Sequence, residues 1–94
     1  MRDSYNGWSS YETWCVKLWI DNDGIDSEIE EAAKGCGSVY ELSHWIENYI
    51  EDLTPQLEGM FSDLLTNALG RVNWYEIAEA FEEFIPEDEE DEDE

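Results

Sequence analysis

The sequence predicts an all-α fold, a compact bundle of about five short helices followed by a disordered acidic C-terminal tail. Three observations predict it. Helix-start signals recur along the chain: a Ser or Asn followed three residues later by Glu, at Ser9/Glu12, Ser27/Glu30, Ser38/Glu41 and Asn73/Glu76. In such pairs each side chain satisfies a backbone N–H that the first helical turn leaves free. Between the starts, apolar residues repeat at i, i+3, i+4 and i+7, the period of a helix with one buried face. No stretch alternates with a period of two, so no sheet is expected.

The first helix is expected over residues 10–22. Tyr11, Trp14, Cys15, Leu18 and Trp19 form its apolar stripe, and Trp8 staples the chain just ahead of the cap. Gly24 ends it. A short second helix covers 27–34, with Ile29, Ala32 and Ala33, and stops at Gly35. The third, 39–53, aligns Val39, Leu42, Trp45, Ile46, Tyr49, Ile50 and Leu53. Thr54-Pro55 opens a fourth, 55–69, because proline suits the first helical position. Its stripe is Leu57, Met60, Phe61, Leu64, Leu65, Ala68 and Leu69, and Gly70 ends it. The fifth, 74–85, carries Ile77, Ala78, Phe81, Phe84 and Ile85 up to Pro86. The helical domain is thus 1–86 and the tail 87–94, and the expected core anchors are Trp8, Trp14, Leu18, Trp19, Trp45, Leu64 and Phe81. The aromatic-rich start reads as core and staple in preference to an aromatic binding surface, since each aromatic buries about 150–250 Å².

Ninety-four residues make one domain with a modest core. Nothing resembles a secretory signal or a membrane span. Two cysteines, Cys15 and Cys36, are too few for a disulfide framework and read as free thiols of a cytoplasmic protein. Cys36 lies between glycines and is expected at the surface.

Charge is the dominant compositional fact. There are 26 acidic residues and 4 basic ones, a net charge of −22. Eight acids fall in residues 87–94; the other 18 face all 4 bases, a net of −14. Such a surface repels nucleic acid and anionic membranes, so a large partner is expected to be basic.

Candidate chemical sites are thin. Asp21, Asp23, Gly24 and Glu30 fall at calcium-loop spacing, but Trp19 then occupies the first ligand position and offers no oxygen. The stretch reads better as a helix stop followed by a helix start. His44, Cys15 and Cys36 have no zinc spacing. His44 reads as a boundary or surface residue. No phosphate-binding loop, dinucleotide fingerprint or nucleophile elbow occurs. No metal, no cofactor and no enzymatic activity are expected.

The acidic helix faces remain. Glu28 and Glu31, Glu41, Glu47, Glu51 and Asp52, and Glu76, Glu79, Glu82 and Glu83 are the expected partner-binding residues. Four helical residues rise about 6 Å, so carboxylates at that spacing can present a phosphate-like line of charge. Repulsion between like charges at i, i+4 costs about 0.2–0.5 kcal/mol per pair, which calls for a compensating purpose. Binding a basic partner is one; solvation in a high-salt environment, in a small protein with another binding or assembly role, is the alternative. Self-association is left open.

The opening stretch "NGWSSYETWCVKLWIDND" resembles the N-terminal signature of small, mostly uncharacterised proteins of phages, plasmids and archaeal or bacterial mobile elements. The matching residues are Asn6, Gly7, Trp8, Tyr11, Glu12, Thr13, Trp14, Val16, Leu18, Trp19, Ile20 and Asn22. The resemblance covers about 20 residues and departs from the pattern at Ser10 and Cys15, where Asn is frequent. It implies a mobile-element origin and no catalytic residue. Joined to the charge, it points to a non-enzymatic inhibitor of anti-CRISPR or antirestriction type. Such a protein would mimic nucleic acid and occupy a basic surface of a host defence protein in the cytoplasm of the host cell.

Overall fold

The computed structural model describes residues 7–86. The expected tail, 87–94, and the first six residues of the expected domain lie outside the described residues. Five α-helices follow one another: α1 Tyr11–Asn22, α2 Ile25–Ala33, α3 Val39–Leu53, α4 Gly59–Leu69 and α5 Trp74–Glu79, with a short 3-10 turn at Glu82–Phe84. Among the described residues there is no strand. The fold is all-α.

Local chemistry sets the starts. The Ser10 hydroxyl accepts the Thr13 N–H at 3.1 Å and caps α1, one residue later than the Ser9/Glu12 pair predicts. Ser38 caps α3 by accepting the Glu41 N–H at 3.1 Å, while Glu41 Oε1 accepts the Gly37 N–H at 2.8 Å. Asn73 caps α5 by accepting the Glu76 N–H at 3.0 Å. The other two starts move. Gly24, at φ 77°, both follows α1 and precedes α2, so Ser27 lies inside α2 and its hydroxyl donates back to the Gly24 carbonyl. Gly59, at φ 61°, sits in the left-handed region. That conformation breaks any helix running from Pro55, so α4 begins only there.

The core forms where α3 lies against α5, the most extensive helix contact in the molecule. Val39, Leu42 and Ile46 of α3 meet Ile77, Ala78 and Phe81; Ile29 and Ala33 of α2, Ile20 of α1, Cys36 and Val72 complete the cluster. Trp8, Val16, Trp45, Ile50 and Phe84 pack around it, partly buried. Full burial of a side chain such as Leu42, Ile46 or Ile77 contributes about 1.5–3 kcal/mol.

The buried face of α1 is not the aromatic stripe. Thr13 and Ile20 are buried, with Val16 and Lys17 half-buried, whereas Leu18 and Trp19, expected core anchors, are exposed, Trp19 by 56%. Trp14 is half-buried and rests its ring 5.6 Å from that of Tyr11. Two stripes compete on this helix. The one that wins carries a hydroxyl at Thr13, which meets the backbone before α5. Leu64, another expected anchor, is 59% exposed, and no residue of α4 is buried. Helix α4 stands beside α3 with a cleft between them and joins none of the main helix-to-helix contacts. The segment expected as one helix over 74–85 divides, because the chain turns at Ala80–Phe81 to place the Phe81 ring in the core.

Candidate functional site

Two clefts gather the acids of the expected binding surface. The first, of 390 Å³, runs between the C-terminal half of α3 and the inner side of α4; Glu47 and Glu51 line it together with Leu57, Leu65 and Leu69. The second, of 800 Å³, lies where the start of α3 meets the segment from Glu79 to Pro86. Its walls include Glu79, Glu82 and Glu83, the rings of Tyr40 and Tyr75, and Ile85. Both tyrosines are exposed, by 65% and 47%. Three carboxylates beside two exposed tyrosines are groups that a guanidinium or ammonium ion binds, by charge-assisted hydrogen bonds and against the ring.

The helix break at Ala80 creates this second cleft. The expected line of Glu76, Glu79, Glu82 and Glu83 on one helix face does not form, since the helix ends at Glu79. Instead the 3-10 turn brings Glu82 and Glu83 around beside Glu79.

Several expected binding residues do structural work. Glu76 Oε1 accepts both the Ser9 N–H at 3.1 Å and the Ser9 hydroxyl at 2.7 Å, clasping the start of the chain to α5. Glu41 spends a carboxylate oxygen on the cap of α3. Glu31 pairs with Lys34 at 3.0 Å on an exposed surface, a contact that contributes little. Glu28 and Asp52 are exposed on α2 and α3 and line neither cleft.

Basic residues are held close to home. The Lys17 ammonium pairs with Asp21 at 2.8 Å and lies 5.9 Å from the Trp8 ring centroid and 5.5 Å from that of Phe81. It therefore bridges the expected staple residue to the core by cation–π attraction.

The residues that organise the start of the chain are Ser10 and Thr13. The Asn73 N–H donates to Thr13 Oγ1 at 2.8 Å, Thr13 Oγ1 and Ser10 Oγ lie 2.7 Å apart, and Ser10 Oγ donates to the Arg71 carbonyl at 3.1 Å. A hydroxyl has one proton. Ser10 gives its own to Arg71, so Thr13 donates to Ser10, and the chain of bonds runs in one direction from Asn73 to Arg71. The signal for Thr13 in the sequence was its place with Val16 and Ile20 on a second stripe, which the larger aromatics beside it outweigh.

Other candidates resolve simply. Two residues, Asp23 and Gly24, separate α1 from α2, so no twelve-residue calcium loop exists. Among the described residues no group of three or more His, Cys, Asp or Glu is arranged to hold a metal ion. Cys36, expected at the surface, is buried; desolvation pushes its thiol pKa up, and the Glu41 carboxylate adds to the rise. A thiol kept protonated is a poor nucleophile. His44 is exposed, its ring edge-on to Tyr40 at 4.5 Å. No helix of the described residues is long and apolar enough to cross a membrane.

A model of a protein family of unknown function, DUF7249, matches residues 1–92, and the chain belongs to that family. No curated protein and no solved structure matches the chain.

Proposed function

We propose that this member of DUF7249 is a non-enzymatic acidic inhibitor. It would bind the basic nucleic-acid-binding surface of a host defence protein, in the manner of an anti-CRISPR or antirestriction protein made by a mobile element. The observation that carries the reading is the second cleft, where Glu79, Glu82 and Glu83 stand beside the exposed Tyr40 and Tyr75. Arg and Lys side chains of a nucleic-acid channel fit that chemistry. Charge supports it: four bases neutralise at most 4 of the 18 acids outside the tail. The remaining field speeds encounter with a basic partner, and the tyrosines supply contacts that charge alone does not, since charge gives rate more than affinity. Glu47 and Glu51 extend the acidic surface along α3. The protein itself binds neither nucleic acid nor membrane, needs no cofactor and acts in the host cytoplasm.

The test is displacement. The protein is titrated into purified restriction and CRISPR effector complexes holding labelled DNA, at 50 and 500 mM salt. Release of DNA from one of them, weaker at the higher salt and at least tenfold weaker for Glu79→Gln/Glu82→Gln/Glu83→Gln, supports the proposal. Release unaffected by that triple substitution sinks the cleft, and no release from any complex sinks the function. The high-salt reading separates at once: a chain acidic for solvation requires molar salt to fold, whereas an inhibitor is helical by circular dichroism in dilute buffer.

A further inference from the structure

We infer that the outer face of α4 is a self-association surface, covered in solution by α4 of a second copy. Helix α4 has two apolar sides. Leu65 and Leu69 turn inward to the cleft against α3. Met60, Phe61 and Leu64 turn outward, 65%, 62% and 59% exposed, and Leu53 at the end of α3 is 56% exposed. Among the described residues no other helix covers them.

An uncovered α4 would not hold itself. It has 11 residues, no buried residue and no side-chain cap, whereas isolated helices shorter than about 12–15 residues are marginal in water.

Charge selects the occupant. Asp63 is the single charged residue of α4, whereas α2 and α3 each carry four acids. A chain of net charge −22 repels its own copy almost everywhere. The outer face of α4, with Asp63 as the helix's one carboxylate, is where two copies meet with the least opposing charge. A basic partner, by contrast, would find few acids there to pair with. The area is in proportion. Four such side chains bring on the order of 350–400 Å² of apolar surface from each copy, so two copies bury about 700–800 Å², below the roughly 1,200 Å² of stable interfaces and in keeping with a weak, transient one. The expected dimer is weak, with a Kd on the order of 10 μM.

Its salt dependence runs opposite to that of binding a basic partner, because screening relieves the repulsion between copies. Sedimentation of the full chain from 1 to 200 μM, at 50 and 500 mM NaCl, should show a dimer that grows with concentration and with salt. Phe61→Glu and Leu64→Glu should each leave a monomer throughout, and Leu64→Ala, which adds no charge, should raise Kd at least tenfold. Trp19→Ser, at an exposed residue away from α4, should associate like the wild type. A wild type that stays monomeric at 200 μM in 500 mM NaCl overturns the inference. So does a dimer that survives Phe61→Glu, or one that Trp19→Ser abolishes. A helical Lys/Leu peptide that binds a monomeric chain and is lost with Phe61→Glu would assign the face to a basic partner instead.

Discussion

Thr13 holds the start of the chain to the segment before α5, and replacing its hydroxyl by a methyl tests that role with little change of shape. Thr13 is fully buried. In Thr13→Val the Asn73 N–H loses its acceptor at 2.8 Å, and Ser10 loses a donor at 2.7 Å. Ser10 keeps the Thr13 N–H and the Arg71 carbonyl, so its loss is the smaller, about 0.5–1 kcal/mol. An orphaned backbone N–H costs about 1–3 kcal/mol. The added methyl recovers part of this by apolar burial, leaving a net destabilisation of about 2 kcal/mol. In a domain of this size that lowers the melting temperature by roughly 8–16 °C. Thr13→Ser keeps the hydroxyl and gives up one buried methyl, about 1 kcal/mol. The assay is urea denaturation followed by tryptophan fluorescence, with thermal melts by circular dichroism. A Thr13→Val variant within 0.5 kcal/mol of the wild type would refute the reasoning, as would a Thr13→Ser variant less stable than Thr13→Val.

Neighbouring residues on α1 should respond in opposite ways: Ile20→Ala, in the core, costs about 2–5 kcal/mol, while Trp19→Ser, at the surface, stays within about 0.5 kcal/mol, both read by urea denaturation. Glu76→Ala releases the Ser9 clasp and lowers stability by about 1–2 kcal/mol, yet leaves DNA displacement from a target complex unchanged once the chain is folded. Cys36 introduces a pH dependence. Its pKa is raised in the folded state above the ordinary value of 9.0, so the unfolded chain loses that proton first; its contribution to stability is whole below about pH 9 and declines as pH rises toward the folded value. Melting temperatures from pH 7 to 10.5 should fall more steeply for the wild type than for Cys36→Ala, and parallel curves would contradict the shift.

Helix existence was legible in the residues because it is a short-range matter. Ser38 and Asn73 lie three residues from the amides they cap, and the 3.6-residue repeat of α3 lies within that helix. Gly59 shows the limit: its left-handed backbone delays α4, although Thr54-Pro55 is a good local start. The candidate site was legible only in composition. Glu79, Glu82 and Glu83 are visible as acids, but their meeting with Tyr40 depends on a turn at Ala80 that the Phe81 ring imposes by entering the core.

The chain's own sequence determined its class, the number of its helices, the caps at Ser38 and Asn73 and its overwhelming negative charge, because each rests on residue types or on contacts spanning a few positions. The tertiary structure alone decided which faces are used. Thr13 outranks Trp19 because Asn73, 60 residues away, brings an N–H that only a hydroxyl can accept. Glu76 becomes a clasp because Ser9, 67 residues away, arrives beside it. The apolar outer face of α4, indistinguishable by periodicity from a core stripe, stays uncovered among the described residues because no other helix there reaches it.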